Sequence, residues 1–214
     1  GKLDKDYIKK YGEDYTMKRN QAWHFGGIIY NSSMKKYIRT YDNVLPDNLC
    51  KTLIDKFEQS QDQWVKTELK NHRHFTEINI NQHPDWEGMV KGLYSSLKPY
   101  IAKYKEDCKI TPTQWPTQYG FEQIRFKKYL PNNIDEFKSH VDVGDYASAR
   151  RFLVFFLYLK DNEAGETGFD EYDIKVKPQA GRLLMFPPTW TYLHTAYKPL
   201  KSPKYIIGSY LHYL

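Results

Sequence analysis

Cysteine is scarce in this sequence: among its 214 residues only Cys50 and Cys108 carry a thiol. Two cysteines cannot build a disulfide framework or a cysteine-rich zinc site, so any bound metal must be held by histidine and carboxylate side chains. The same scarcity favours a reducing compartment, and we expect a cytoplasmic protein. No apolar run approaches the ~18 residues of a membrane span, and the first residues lack the apolar segment of a secretory signal, so we expect no membrane association.

Internal repeats and low-complexity segments are missing as well. Hydrophobic residues make up 40% of the chain and charged residues 27%, which excludes bulk disorder, and the length suits a single domain at 1–214. Positive charge is in excess, with a net charge of +6. A basic surface can attract nucleic acid, an acidic substrate or an anionic cofactor, although lysine-rich proteins without such partners are common. We interpret residues 1–40, which are rich in lysine and tyrosine, as an N-terminal extension or lid.

The region 41–120 predicts helices that support the rest of the fold, together with a few strands. Pro46 and Asp47 are typical of a helix start, and the apolar residues after them recur at intervals of three and four. Residues 64–80 contain short alternating runs that resemble strands. Asp85 is predicted to cap a second helix, whose apolar stripe contains Trp86, Met89, Val90, Leu93, Leu97 and Ile101.

Beyond Cys108 the apolar period changes to two, which predicts strands. Turn residues separate them, and the strands are expected near 121–129, 137–143, 151–159, 172–178, 181–186, 192–196 and 205–213. Helices followed by evenly spaced strands are typical of an α+β, mostly β fold, in which a jelly-roll or barrel carries supporting helices on one face. Every second side chain of such strands enters the interior, where a site could form.

His140 and Asp142 are the candidate metal ligands. Residues i and i+2 of a strand face the same side, so this imidazole and this carboxylate could bind one ion together. His194, from a distant strand, would complete the set. Two imidazoles and one carboxylate leave three octahedral positions open, which is the arrangement of non-heme Fe(II) oxygenases.

A second set of residues has nearly the same spacing, so spacing alone cannot decide. His83 and Asp85 are followed by His140 and Arg150, much as His140 and Asp142 are followed by His194 and Lys204. Capping of a helix already explains Asp85, however, and Pro84 disfavours the interior of a paired strand. We therefore favour the set that lies among predicted core strands.

Lys204 and Tyr129 could bind a dianionic co-substrate. A dicarboxylate with one end on the metal needs a cation at its other end, and a lysine on the next strand supplies it. The Tyr129 hydroxyl could donate to the same carboxylate. Either residue alone would be an ordinary surface or core-edge side chain, and only the metal set beside them favours this function.

On these residues the sequence resembles the 2-oxoglutarate- and Fe(II)-dependent oxygenases, closest to the prolyl 4-hydroxylase type. Residues 123–131 are similar to the strand that ends in a co-substrate-binding tyrosine, and residues 137–142 to the His-x-Asp strand. Residues 151–169 and 177–186 resemble the strands that follow. The late aromatic of the family, usually tryptophan, is Tyr210. The resemblance covers about 121–213, and it implies a double-stranded β-helix (jelly-roll or cupin-like) catalytic core at 121–214.

The resemblance implies a dioxygenase with Fe(II) on His140, Asp142 and His194. In such enzymes 2-oxoglutarate chelates the metal, and its C5 carboxylate would lie on Lys204 and Tyr129. Dioxygen is consumed, 2-oxoglutarate is decarboxylated to succinate and CO2, and a C–H bond is hydroxylated; ascorbate can be needed for full activity. The expected partner is a peptide or protein substrate, hydroxylated as by a prolyl 4-hydroxylase.

Two departures from the family pattern leave the primary substrate open. Val154 stands where many prolyl hydroxylases have a threonine near the co-substrate, and Ala164 replaces the first glycine of the Gly-Gly-Glu-Thr turn. An oxygenase acting on a nucleic-acid base or a small molecule therefore stays an alternative. A second alternative is a non-catalytic jelly-roll binding module that kept only the scaffold.

The remaining candidates have simpler interpretations. His72 and His74 share a strand face and could form a metal pair, but without a third partner a surface or substrate-facing strand is favoured. Arg150 and Arg151 are interpreted as a solvated start of a strand rather than as substrate contacts. Histidines without a visible partner are treated as structural, and most tryptophans as core or cleft walls: His24, His212, Trp64, Trp86, Trp115 and Trp190.

Overall fold

A single curled antiparallel sheet dominates the fold. The computed structural model describes residues 34–214, of which Ile38–Leu214 form one compact unit. Most of the predicted extension or lid at 1–40 lies outside the described residues, and so does His24. Among those residues no helix combines the length and the apolar character that a bilayer span requires.

Twelve strands make up the sheet, and every pairing between them is antiparallel. The strands are β1 (Arg39–Tyr41), β2 (Val65–Leu69), β3 (Arg73–Asn79), β4 (Tyr119–Phe121), β5 (Arg125–Tyr129), β6 (Glu136–His140), β7 (Arg151–Tyr158), β8 (Thr167–Phe169), β9 (Ile174–Val176), β10 (Leu183–Phe186), β11 (His194–Ala196) and β12 (Lys204–Tyr213). Their order in the sheet is β1-β10-β7-β12-β5-β3-β6-β11-β8-β9, with β2 on β3 and β4 on β12.

Two helices, α1 (Asp47–Gln59) and α2 (Glu87–Asp107), cover one face of the sheet. Each buries a stripe at intervals of three and four, as predicted: Cys50, Leu53 and Phe57 on α1, and Val90, Leu93, Leu97, Ile101 and Tyr104 on α2. The ring of Phe57 lies 4.5 Å from that of Phe126 on β5, and Tyr94 of α2 lies 4.5 Å from Phe121 on β4. These aromatic contacts attach the helices to the strands that carry the site.

The other face of the sheet lines the interior, and strand alternation decides which side chains enter it. On β5, Phe126 and Lys128 face the helix side, whereas Arg125, Lys127 and Tyr129 face inward. The predicted fold, a mostly β jelly-roll with helices on one face, is confirmed.

Several boundaries differ from the sequence prediction. The strand predicted over 137–143 ends at His140, so Asp142 lies just beyond it. The strand predicted over 121–129 is divided, because the backbone N–H of Ile124 donates to the side chain of Asn81 instead of to a strand partner. Strands β1 and β8 were not predicted, since three residues are too few for an alternating pattern to be visible.

The predicted cap of the second helix is wrong. A 3-10 turn at Pro84–Trp86 precedes α2, and no side chain caps the helix. The Asp85 carboxylate instead accepts hydrogen bonds from Lys56 Nζ at 3.0 Å and Gln63 Nε2 at 3.1 Å. Residues distant in sequence thus satisfy the carboxylate that local reasoning assigned to a cap.

The tryptophans divide between buried and exposed positions. Trp86 is completely buried in the core, as predicted. Trp64 and Trp115 are half-buried, and Trp64 Nε1 donates to the Phe57 carbonyl. The expectation for Trp190 is wrong: it is 80% exposed, because the short turn at Trp190–Tyr192 buries Tyr192 in its place.

Candidate active site

The two imidazoles of the candidate metal site lie on neighbouring strands. Strand register places His194 of β11 directly opposite His140 of β6, and a β-bulge follows His194. The two rings are 4.3 Å apart and tilted by 59°. Residues directly opposite each other on paired strands point to the same side of the sheet, so the pairing itself converges the two imidazoles.

Backbone carbonyls fix the orientation of both rings. His140 Nδ1 lies 2.7 Å from the Lys138 carbonyl oxygen, and His194 Nδ1 lies 2.9 Å from that of Tyr192. A carbonyl can only accept, so each Nδ1 carries the proton and each Nε2 presents its lone pair to the interior. This tautomer is the one in which imidazole binds a metal through Nε2.

Asp142 completes the group from the loop beyond β6. Its backbone N–H donates to the Pro188 carbonyl at 3.1 Å, and its own carbonyl accepts from Arg151 Nη1 at 2.8 Å. The Tyr210 hydroxyl donates to Asp142 Oδ1 at 2.7 Å. Two backbone contacts and one side-chain contact, all with residues distant in sequence or on other elements, therefore hold Asp142 in place although no strand carries it.

His140, Asp142 and His194 form a compact set, here called the metal triad. One ligand atom from each lies within 4.8 Å of the others, and among residues 34–214 no other group of three such side chains meets this condition. Asp142 Oδ2 lies 3.2 Å from His194 Nε2 and Asp142 Oδ1 lies 3.8 Å from His140 Nε2.

The polar atoms of the triad fit a divalent cation. Asp142 Oδ2 and His194 Nε2 are buried, and neither has a hydrogen-bond partner within the described residues. Leaving such atoms unpaired costs about 1–3 kcal/mol each, and a metal ion would satisfy both. Burial, with His194 adding to its effect, lowers the pKa of His140 to about 3, so this ring is neutral, as a metal ligand must be.

Arg151 supports the triad and was missed by the sequence analysis, which placed it at a solvated strand start. Its guanidinium forms a bidentate pair with Glu122, with Nε–Oε1 at 2.9 Å and Nη2–Oε2 at 3.1 Å, and lies 3.9 Å from the ring centroid of Tyr210. Because it also donates to the Asp142 backbone, Arg151 of β7 links the triad to Tyr210 of β12 and to Glu122, just beyond β4. Only the tertiary arrangement brings Glu122 to it.

A cavity of about 650 Å³ opens beside the triad. His140 and Asp142 form part of its wall, so a molecule in the cavity can reach the metal position. His212, predicted to be structural, also lies on this wall, with Nδ1 3.8 Å from Glu122 Oε1. Arg150 is exposed, as predicted, and lines the cavity as well.

Lys204 and Tyr129, the predicted co-substrate anchors, lie opposite each other on β12 and β5. The Lys204 ammonium is 4.3 Å from the Tyr129 ring centroid, and the lysine is completely buried. Its Nζ donates to the carbonyls of Gly165 at 2.9 Å and Tyr197 at 3.2 Å. Burial lowers the pKa of Lys204 to about 7, although the Glu166 carboxylate acts in the opposite direction.

Tyr158 is a buried hydroxyl near this pair that the sequence analysis did not select. It pairs with Ile206 of β12, and its hydroxyl forms a hydrogen bond of 2.5 Å with Thr167 Oγ1. Alternation along β7 already predicted that Tyr158 is buried, but not that its hydroxyl shares the interior with Lys204. We call Lys204, Tyr129 and Tyr158 the Lys204 cluster.

The competing candidates lack a third ligand. His74 Nδ1 lies 2.9 Å from Asp135, and the His72 ring packs edge-on against Phe137 at 5.3 Å. Neither belongs to a group of three metal-binding side chains among the described residues. The alternative set built on His83 does not assemble either, since Asp85 is engaged with the first helix.

Comparison with known proteins gives one family match. Residues 124–212 match the family model described as the 2OG-Fe(II) oxygenase superfamily. Among curated proteins, none matches the sequence significantly.

Three solved structures resemble the chain in fold. A collagen prolyl hydroxylase of Paramecium bursaria Chlorella virus-1, in a 2OG complex, is 19% identical with a TM-score of 0.62, covering 83% of this chain and 97% of its own. A Trichoplax adhaerens prolyl hydroxylase, bound to a hypoxia inducible factor peptide fragment, is 15% identical with a TM-score of 0.66, covering 95% and 94%. A Pseudomonas putida prolyl-4-hydroxylase is 15% identical with a TM-score of 0.58, covering 83% and 93%. At these identities the likenesses show the fold.

Proposed function

We propose that the chain hydroxylates a peptidyl residue, proline foremost, since residues 124–212 match the 2OG-Fe(II) oxygenase superfamily model and the fold resembles that of prolyl hydroxylases. The predictions of an enzyme, of a dioxygenase and of Fe(II) and 2-oxoglutarate as its requirements are confirmed at the level of the family. The non-catalytic binding module therefore loses its basis. The substrate and the role of each site residue are our proposal.

The metal triad is the observation that carries the proposal. His140 and His194 would bind the ion through Nε2, and Asp142 through Oδ2. Two of these atoms, His194 Nε2 and Asp142 Oδ2, are buried without a hydrogen-bond partner among the described residues. One ligand atom from each of the three residues lies within 4.8 Å of the others. Fe(II) bound there, together with 2-oxoglutarate, supplies the oxidising chemistry that couples decarboxylation to succinate and CO2 with hydroxylation of a C–H bond. His140 and Asp142 line the cavity, so a substrate in the cavity would have access to the metal position.

The Lys204 cluster would hold the far carboxylate of 2-oxoglutarate. Lys204 offers a buried cation and Tyr129 a buried hydroxyl on paired strands, and a carboxylate accepts from both. On binding, the Lys204 ammonium would replace its hydrogen bonds to the Gly165 and Tyr197 carbonyls by hydrogen bonds to the carboxylate of 2-oxoglutarate. The carboxylate would offset the cost of burying the ammonium, which is now reflected in its lowered pKa.

A peptide substrate is favoured by the cavity and by the structural neighbours. The cavity is wide enough for a side chain and a short stretch of backbone, and it opens onto two of the three triad residues. The three solved structures that the chain resembles are all prolyl hydroxylases. The net charge of +6 favours the alternative of a nucleic-acid substrate, so both classes belong in the same test.

The experiment measures succinate formation by the full chain with Fe(II), 2-oxoglutarate and ascorbate. Proline-containing peptides, single-stranded oligonucleotides and free amino acids are offered in turn, and each product is analysed by mass spectrometry for the gain of one oxygen atom. We expect peptides to stimulate succinate release and to gain the oxygen at proline. Turnover confined to oligonucleotides, with a strong loss of affinity as salt increases, would favour the alternative. Turnover of free amino acids alone would contradict peptide hydroxylation and would favour a small-molecule substrate.

A further inference from the structure

The cavity beside the metal triad has an excess of positive charge on its wall. Arg151 is already paired with Glu122, and Asp142 belongs to the triad. The wall carries five cationic side chains and three carboxylates: Arg73, Arg125, Lys127, Arg150 and Arg151 against Glu77, Glu122 and Asp142. A ligand that enters this cavity therefore meets cations whose charge the protein does not balance.

Lys127 is separated from the triad by one aromatic ring. It lies in the middle of β5 and points inward, with its Nζ 4.7 Å from the ring centroid of Phe75 and 5.8 Å from that of Phe137. Phe137 in turn stacks on His140, with ring centroids 3.4 Å apart. A group that binds the Lys127 ammonium is thus placed close to the reacting position.

No carboxylate of residues 34–214 forms an ion pair with Lys127. Its cross-strand neighbour is Glu77, but Glu77 Oε1 lies 4.0 Å from Arg125 Nη1 and accepts a long hydrogen bond from Thr67. Burial lowers the pKa of Lys127 against the opposing effects of Glu77 and Asp142, and Arg73 and Arg125 add smaller effects in the same direction as burial. An ammonium in such surroundings gains more from an incoming carboxylate than one in water does.

The neighbouring residue, Lys128, shows what a balanced lysine looks like on the same strand. It faces the helix side, forms an ion pair with Glu58 and lies 5.0 Å from the ring centroid of Trp64. The two lysines are adjacent in sequence and differ in the face they occupy. This makes Lys128 a matched control for any test of Lys127.

We propose that the substrate peptide carries an acidic side chain close to the residue that is hydroxylated, and that Lys127 binds its carboxylate. Phe75 and Phe137 would cover the aliphatic part of that side chain while the carboxylate meets the ammonium. Lys127 is then a specificity-determining residue. This inference rests on the proposed function, because it names the class of peptide that the same site takes.

The test compares synthetic peptides that are identical except for one residue near a single proline. Glutamate, glutamine or lysine is placed at each of the two positions on either side of the proline, and KM is measured from succinate release. With the wild-type chain we expect the best glutamate peptide to have a KM about tenfold lower than its glutamine isostere. We expect Lys127→Met to remove this difference by raising the KM of the glutamate peptide only.

Two further variants sharpen the result. Lys127→Glu should reverse the preference toward the lysine peptide, and Lys128→Met should leave the preference of the wild type unchanged. The KM for 2-oxoglutarate should stay within about twofold in Lys127→Met. Melting temperatures check that each variant folds. If a variant fails to fold, the KM values of the wild-type chain for the glutamate and glutamine peptides still test the proposed acidic preference.

Three outcomes would overturn the inference. Equal KM values for the glutamate and glutamine peptides would contradict it while leaving peptide hydroxylation intact. A rise in the KM for 2-oxoglutarate without a change in peptide preference would assign Lys127 to the co-substrate instead. Turnover of no peptide, with turnover of a single-stranded oligonucleotide, would contradict the proposed function itself and the acidic peptide with it.

Discussion

Two groups of buried polar side chains share the interior of the sheet, and they differ in whether their polar atoms are satisfied. In the metal triad, Asp142 Oδ2 and His194 Nε2 have no partner among the described residues. In the Lys204 cluster, the Lys204 ammonium already donates to two backbone carbonyls. The triad is therefore arranged in advance for a ligand, whereas Lys204 must give up protein partners to bind one. We expect substitutions in the two groups to affect different constants.

The largest effect is expected from the triad itself. His140→Ala or Asp142→Ala should reduce 2-oxoglutarate turnover by more than about 100-fold, since loss of a mere supporting contact to a ligand already costs 10–100-fold. The chain should still fold, because each variant loses a single side-chain hydrogen bond, from Tyr210 to Asp142 or from His140 to the Lys138 carbonyl. Succinate release and a thermal melt measure the two properties. Normal succinate release by either variant would disprove the assignment of the triad.

Removal of the Tyr210 hydroxyl tests how the carboxylate of the triad is held. Tyr210→Phe deletes the hydrogen bond of 2.7 Å to Asp142 Oδ1 and keeps the ring beneath Arg151. We expect Fe(II) affinity, titrated without oxygen, to fall by about 10–100-fold. Tyr213→Phe, an exposed tyrosine of the same strand, is the control and should bind Fe(II) normally. Unchanged affinity in Tyr210→Phe would show that Arg151 and the backbone suffice to position Asp142.

Substitution in the Lys204 cluster should act on the co-substrate rather than on the metal. Lys204→Met retains most of the buried volume but removes the cation, and we expect the KM for 2-oxoglutarate to rise about tenfold with Fe(II) affinity unchanged. Steady-state kinetics at saturating Fe(II) measure this effect. If the KM does not change, Lys204 is not the anchor, and the separation of the two groups by function fails.

The last expected effect is a dependence of stability on pH. The pKa of Lys204 is about 7 in the folded chain and 10.5 in its ordinary state. Between these values the unfolded chain binds a proton that the folded chain has lost, so this residue makes stability rise with pH across the window. The melting temperature of the wild type relative to Lys204→Met should therefore be lower at pH 7 than at pH 10. A difference independent of pH would show that burial does not perturb this lysine.

The sequence predicted those parts of the molecule in which local pattern decides the structure. The continuous apolar run in 151–159 predicted a buried strand, and the stripes of the two helices predicted their buried faces; both are as expected. Conversely, Asp85 has an ion pair instead of a cap, because Lys56 of another helix reaches it. A local pattern cannot reveal a partner that only the tertiary fold brings near.

The candidate site also contains both residues that a local pattern predicts and residues that only the tertiary fold brings together. His140 and His194 were selected by residue type and spacing, and the fold sets them opposite each other. Asp142 reaches the same point from beyond the strand end, through contacts with Pro188, Arg151 and Tyr210 that no spacing encodes. The pair formed by Arg151 and Glu122 was missed for this reason. Arg151 begins β7 and Glu122 lies between β4 and β5, and neither residue has a chemical signature by itself.

The pairing of β6 with β11 makes catalysis sensitive to changes in chain length as well as in side chains. A deletion of one residue within either strand would turn one imidazole to the opposite face while every ligand residue remained in the sequence. Insertions of several residues in the exposed 145–149 segment would leave that pairing untouched. Deletion scanning across both segments would therefore show where the exact number of residues matters for the site and where it does not.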